Sequence, residues 1–274
     1  MGAGAASKAG LRHRRTWPRK RIAMNLFVIN LERSATRRSF MAAQLQRQGL
    51  AHSFFPAVDG RARHAEFAHH YDDERCLKSW RRPMTRGEVG CFASHYLLWE
   101  RCVQVGAPIV VMEDDVILAD GIGEAVEIAQ QLVANHDFLR LSGVVDVPRV
   151  TLAADLAPPW RLVRFLAGPL GTQCYVIAPR AAQALLDKAT QWLMPVDNYI
   201  DAFWLHGVIS KGLEPFRARH DDSQQSEISD TMLSPSQVMR DKVPRVKRFS
   251  RRMYDEFRRH AFNFLHQPPS GGVR

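Results

Sequence analysis

Three consecutive acids, Glu113-Asp114-Asp115, directly follow the apolar run Ile109-Val110-Val111-Met112. Such a run has the length of a buried strand, and open α/β sheets bind ligands at the carboxyl ends of their strands. Three anions in a row repel one another unless a cation or a set of donors is present. Their oxygens suit a hard divalent ion, Mg2+ or Mn2+, that also holds a diphosphate. The competing reading is a solvated turn with a helix cap. A second acid pair lies in Pro195-Val196-Asp197-Asn198-Tyr199-Ile200-Asp201. If a helix opens at Pro195, Asp197 and Asp201 are i and i+4 and face the same way. Acids are also common as simple caps at helix starts, so the pair alone assigns no chemistry. His206, His220, Asp221 and Asp222 offer further ligands near the last predicted strand. Arg33, Arg37 and Arg38 follow the first strand, where guanidinium groups match phosphate, although such arginines often only face water. Gly171-Thr172-Gln173 leads into a buried strand, and its glycine lets a ligand approach the backbone.

The elements that must position these residues follow an alternating order. The mostly apolar run IAMNLFVINL, which ends at Asn30-Leu31-Glu32-Arg33, reads as a first strand. Ser34 is placed to cap a helix over 35–48 that turns Phe40, Met41 and Leu45 inward, and Gly49 stops it. A second strand from Ser53 to Val58 ends in the turn Asp59-Gly60. This β-α-β start favours a parallel sheet with helices on its faces. Residues 61–84 are polar and His-rich and read as an irregular surface excursion. Thr85 and Glu88 form a capping box for a helix running to about Val105, with Phe92, Tyr96 and Trp99 on one side. Further strands are expected at Phe138–Leu141, Leu162–Phe165, Gln173–Ile177 and Leu213–Ala218, with a helix over Pro179–Lys188. The fold class is therefore α/β with a mostly parallel central sheet.

The chain has 274 residues, 46% apolar and 24% charged, which fits one large globular domain and excludes a collagen-like or wholly disordered chain. No apolar run approaches the ~20 residues of a spanning helix. The basic N-terminus has no apolar segment behind it and is not expected to be a secretory signal, and Ala6 departs from a myristoylation motif. Four cysteines without a Cys-x-x-Cys pair read as reduced thiols of a cytosolic protein. The net charge of +10 sits at the ends: residues 1–21 carry seven Lys/Arg and no acid, and residues 240–274 carry ten against three acids. The body, 22–239, is mildly acidic, which argues against a body-wide nucleic-acid groove. The division expected is a flexible basic arm (1–21), a domain (22–239) and a basic amphipathic C-terminal helix or tail (240–274).

Taken together, the blocks resemble glycosyltransferase family 25, the lipopolysaccharide/lipooligosaccharide galactosyltransferase family that is related to the collagen galactosyltransferases. The resemblance is carried in order by Val28-Ile29-Asn30-Leu31-Glu32-Arg33 with Arg37-Arg38, and by Phe55-Pro56-Ala57-Val58-Asp59-Gly60. It continues through Thr85 to Cys91 with Ser94-His95, Glu113-Asp114-Asp115, Gly171 to Ile177, and Pro195-Val196-Asp197. It implies a GT-A-like nucleotide-diphospho-sugar fold, a UDP-sugar donor (commonly UDP-galactose), Mn2+ or Mg2+, and inversion at the anomeric carbon. On that mapping Asp115 holds the ion directly and Glu113 through water, with His220 a further candidate ligand. Asp197 is the expected base, with Asp201 in reserve. Asn30, Arg33, Asp59, Asp114, Gly171, Thr172 and Gln173 are expected nucleotide-sugar contacts. Glu88 reads better as a cap than as a site residue, and His95 reads as a packing histidine or a ligand contact.

Val246, Phe249, Met253, Phe257, Ala261 and Phe264 recur at three- and four-residue spacings among seven Lys/Arg. This describes a helix that lies on an anionic leaflet, or one that packs its stripe on the domain. The leading expectation is a peripheral enzyme on the cytoplasmic face of the inner membrane that glycosylates a lipid-linked oligosaccharide. A metal-dependent phosphohydrolase or nucleotidyltransferase and a nucleic-acid-binding protein are the alternatives, and oligomeric state is not legible.

Overall fold

The computed structural model describes residues 25–154, 156–221 and 245–267; the expected basic arm and residues 222–244 and 268–274 lie outside the described residues. Ten strands and nine α-helices alternate through them. The first are β1 (Leu26–Asn30), α1 (Ala35–Arg47), β2 (Ser53–Pro56), α2 (Gly60–Arg63) and α3 (Asp73–Trp80). Next come α4 (Arg86–Val105), β3 (Ile109–Glu113), β4 (Val116–Leu118), α5 (Ile122–His136), β5 (Phe138–Arg140) and β6 (Arg149–Ala153). Then follow β7 (Arg161–Phe165), β8 (Cys174–Ile177), α6 (Pro179–Lys188), α7 (Val196–Asp201) and α8 (Phe203–His206). The last are β9 (Lys211–Glu214), β10 (Ala218–His220) and α9 (Arg245–Leu265).

Eight strands form one sheet in the order β2-β1-β3-β8-β5-β9-β7-β6, while β4 and β10 pair separately. The pairings make β8 and β7 run against the other six, so the sheet is mostly parallel in strand direction and consistent with a GT-A-like fold. The period of two along each strand divides the interior. Val110 and Met112 pack with Met41 and Leu45 of α1 and with α5, whereas Ile109 and Val111 pack with Phe92 and Trp99 of α4. Helices therefore cover both faces.

Several expectations are corrected. Residues 61–84 are only partly irregular: α2, a 3-10 turn (His64–Phe67) and α3, capped by Asp72, take up most of the stretch. Phe67, Tyr71, Cys76 and Met84 are buried there, anchors spread over short pieces too far apart to show one period. Phe40 is 40% exposed, because Met41, Gln44 and Leu45 take the inner face of α1. Ser34 stands at the N-cap of α1 but makes no side-chain capping bond. The expected last strand splits into β9 and β10 around Pro215, which has no N–H to continue a ladder. By contrast, the Thr85–Glu88 capping box forms in full. The close packing behind it explains two glycines: a Cβ on Gly60 would lie 1.8 Å from the Arg86 carbonyl oxygen, and one on Gly90 2.4 Å from that of Val58.

Candidate active site

Strand alternation separates the three acids. Glu113 ends β3 on the α4 side, Asp114 turns to the α1 side, and Asp115 leads into β4. Parallel register brings Asn30 of β1 and the end of β2 to the same rim, with Ile29 opposite both Glu113 and Phe55.

Glu113 is held from behind. Its Oε1 accepts from His95 Nε2 at 3.2 Å and from the Thr172 hydroxyl. His95 Nδ1 lies 2.9 Å from the Tyr175 hydroxyl, which accepts the Trp99 indole N–H at 3.1 Å. An indole nitrogen only donates, so the Tyr175 proton is left for Nδ1 and the imidazole proton sits on Nε2, toward Glu113. His95, Trp99 and Tyr175 are all buried. Burial raises the Glu113 pKa, but the bonds from His95 and Thr172 outweigh it and hold the carboxyl below its ordinary value.

Asp115 is the opposite case. Its Oδ1 is buried and has no hydrogen-bond partner among the described residues. Its Oδ2 lies 3.7 Å from His220 Nδ1 and 3.9 Å from Arg37 Nη1, beyond hydrogen-bond length. Burial first, then repulsion from Glu113, raises its pKa to about 7. His220 reaches this position because β10 pairs with β4, opposite Val116. A buried unpartnered oxygen beside a second carboxylate is an arrangement that a hard cation relieves, so the residues fit a divalent ion.

Asp114 does not join them. Its Oδ2 accepts from Asn30 Nδ2 at 2.6 Å and its Oδ1 lies 3.4 Å from Arg37 Nη1, which makes it a brace between β1, α1 and the β3–β4 turn. Burial raises its pKa, opposed by Asn30 and Arg37. At the next strand end Arg33 pairs with Asp59, and Asp59 also accepts from the Arg61 backbone at 3.0 Å.

The two acids of α7 diverge just as sharply. Asp197 accepts only a local bond, from the Asn198 N–H at 2.7 Å, and has no salt bridge to a cationic side chain among the described residues. Its pKa is raised by burial, then by the charges of Glu113 and Glu88. Asp201 is buried with both oxygens occupied, Oδ1 by Arg140 Nη2 and Oδ2 by the Leu170 N–H at 2.8 Å. Arg140 also donates to the Gly171 carbonyl. Gly168 presses on Asp201 so closely that a Cβ would lie 2.0 Å from its Cγ. This cluster fixes the loop that carries Thr172 to Glu113. Gly171 adopts φ +77, and the Gln173 carbonyl accepts the Glu113 N–H at 3.0 Å. Gln173 is thus a backbone brace, with its side chain beside Ser142.

Glu88 is a cap, paired to Arg82 at 2.6 Å. Cys91, His95 and Glu113 place a thiol, an imidazole nitrogen and a carboxylate within 4.8 Å. The His95 proton occupies the nitrogen that a metal would need, and burial with Glu113, Asp197, Asp115 and Glu88 raises the Cys91 thiol well above its ordinary value. All four cysteines are free. His206 bonds the Tyr199 carbonyl at 3.0 Å and belongs to the core.

Sequence reading missed Arg140 and the Trp99–Tyr175–His95 relay. Both had a signal: an arginine and a tyrosine inside runs expected to be buried strands require buried partners.

The chain matches the family model of Glycosyltransferase family 25 (LPS biosynthesis protein) over residues 23–200. A "Glycosyltransferase 25 family member" of Aedes aegypti is 34% identical over 192 residues, covering 64% of this chain and 30% of that protein. An "Inactive glycosyltransferase 25 family member 3" of Mus musculus is 37% identical over 186 residues, 64% of this chain and 31% of that protein. "Procollagen galactosyltransferase 2" of Homo sapiens is 37% identical over 97 residues, 33% of this chain and 15% of that protein. The matched part therefore spans about a third or less of these relatives' length.

Proposed function

The chain belongs to glycosyltransferase family 25, and from that membership we propose that it is an inverting transferase moving a hexose, galactose from UDP-galactose, onto a lipid-linked oligosaccharide. The observation that carries this reading is the buried, unpartnered Asp115 oxygen beside Glu113 at the end of β3. A relative named as inactive shows that family membership alone does not fix activity, so the acids have to.

Asp115 and Glu113, with His220 at their edge, would hold Mn2+ or Mg2+, which when bound supplies positive charge to a departing diphosphate. Arg37 brings a guanidinium, the group that matches phosphate oxygens, to Asp114 and Asp115. His95 and Thr172 keep Glu113 ionised and in one orientation. Arg33 and Asp59 tie the ends of β1 and β2 on the nucleotide side. Asp197 takes the proton of the attacking acceptor hydroxyl, and its raised pKa strengthens it as a base. Asp201 touches no reacting atom in this scheme; with Arg140 it positions the 168–172 loop.

Galactose is supported by the name of the human relative, and the lipopolysaccharide acceptor by the family's description. The proposed location is the cytoplasmic face of the inner membrane, supported by the basic C-terminal segment. The test is thermal shift with UDP-galactose, UDP-glucose, UDP-N-acetylglucosamine and GDP-mannose, each with and without Mn2+, followed by product analysis with acceptor. Stabilisation by a UDP-sugar only with Mn2+, and an acceptor-dependent glycoside, are expected. Release of UMP and sugar phosphate instead would assign a phosphohydrolase.

A further inference from the structure

Helix α9 is amphipathic, yet it does not dock through its apolar stripe. It is fastened to the domain by the opposite face. Phe262 meets Phe203 at 5.3 Å between ring centroids, Arg164 Nη2 donates to Asn263 Oδ1 at 3.1 Å, and Asn263 Nδ2 donates to the Leu166 carbonyl at 2.8 Å. Arg164 also donates to the His266 carbonyl, and Arg258 Nη2 donates to that of Trp204 at 3.3 Å. At 100° per residue, Arg258, Phe262 and His266 lie on one side of the helix, and Met253, Phe257 and Phe264 lie about half a turn away. That second side is exposed (Met253 52%, Phe257 70% and Phe264 73%), and Tyr254 (59%) and Leu265 (75%), also exposed, flank it between the two sides. Five large apolar side chains, ordered on one helix and turned to solvent, mark an interaction surface.

Charge identifies what covers it. In sequence, α9 holds Arg245, Lys247, Arg248, Arg251, Arg252, Arg258 and Arg259 against Asp255 and Glu256. A second copy would bring like charge to like charge, which disfavours self-association. An anionic lipid surface supplies both the missing apolar contact and the opposite charge, and Phe, Tyr, Met and Leu suit the boundary between headgroups and acyl chains. Among the described residues no helix is long and apolar enough to cross a membrane, so the geometry is that of a helix lying on the surface. We infer that α9 docks the protein onto an anionic membrane surface through Met253, Phe257 and Phe264, with Tyr254 and Leu265 at the margin of that face. The inference deepens the proposed lipid-linked acceptor, but it stands on its own observation and its test uses no transfer.

The full chain is sedimented with vesicles of phosphatidylcholine alone and of phosphatidylcholine with phosphatidylglycerol, at low and high salt. Binding to the anionic vesicles is expected, weakening with salt. Phe257→Ser combined with Phe264→Ser should lower partitioning about tenfold or more, because both rings lose their burial in lipid. Neither ring supports the domain, so circular dichroism and thermal unfolding should not change, and transfer to a soluble acceptor fragment should be kept. Equal binding to both vesicle types, undiminished binding by the double variant, or a stable dimer that masks the two phenylalanines would each overturn the inference. So would salt-sensitive binding to duplex DNA that the double variant retains, which would assign the helix to nucleic acid. Absence of soluble transfer by the parent chain, with its binding to anionic vesicles as expected, would instead count against the transferase reading alone.

Discussion

The acids at the end of β3 and those of α7 reach the same outcome by different routes. In the strand, successive side chains leave opposite faces, so Glu113 meets His95 while Asp114 meets Asn30, and Asp115 lies beyond them in the turn. In the helix, Asp197 and Asp201 are one turn apart, yet one makes a single local bond and the other is enclosed by Arg140 and the 168–171 loop. Each group thus contains a satisfied carboxylate and an unsatisfied one. On the proposed function, chemistry falls to the unsatisfied members, Asp115 and Asp197, with the braced Glu113 as a second ligand for the ion, and scaffolding to Asp114 and Asp201.

The largest expected effect is at Asp115. Asp115→Asn should abolish Mn2+-dependent stabilisation by the UDP-sugar, because an amide cannot neutralise the ion. Retained metal-dependent binding would move the ion elsewhere and break the comparison. The same residue gives a pH signature without metal. Its pKa rises from 3.8 to about 7 in the folded chain, so between those values the folded state binds more protons than the unfolded one. Stability contributed by this group therefore falls as pH rises through that window and is level above it. Urea unfolding in EDTA across that range should show the decline in the parent and a flatter profile in Asp115→Asn.

Asp197→Asn comes next. Transfer should fall by ~10²–10⁴-fold, the range of a general base, with metal-dependent donor binding intact. Near-normal turnover in this variant would remove Asp197 from the base role. Asp201→Ala should act on stability instead, since removing one member of a buried ion pair costs about 3–5 kcal/mol. Chemical denaturation measures it directly, and a stable Asp201→Ala protein with lost turnover would reverse the assignment within α7.

The course of the chain was largely legible: the β1-α1-β2 start, the capping box, β3 with its acids, and α6 all lie where hydrophobic period and caps place them. The α/β class with a mostly parallel sheet followed from those elements, and its GT-A-like character from the resemblance to the family. The division of labour among the acids was not, because it depends on partners far apart in sequence. Arg140 is 61 residues from Asp201, and Tyr175 is 80 from His95. No local pattern records such pairings; only the demand that a buried polar group be satisfied hints at them. The helix 122–136 is different in kind. Ile122, Ala125, Val126, Ala129 and Val133 show a regular helical period and are buried, so this element was readable from sequence but carried no chemistry to draw the eye.

The smallest effect sharpens the comparison most, because it tests whether Glu113 is held or merely placed. Tyr175→Phe removes one hydroxyl and leaves the Trp99 N–H and His95 Nδ1 without partners, a loss of about 1–3 kcal/mol. With Nδ1 unpartnered, the imidazole proton is no longer confined to Nε2, so Glu113 loses its fixed donor as well. If the relay serves the site, Tyr175→Phe should weaken metal-dependent donor binding beyond the loss in stability, whereas Trp99→Phe should lower stability and leave binding close to the parent. Thermal unfolding and donor titration on both variants separate these. Equal effects on binding would reduce the relay to core packing and leave Thr172 as the donor that matters to Glu113.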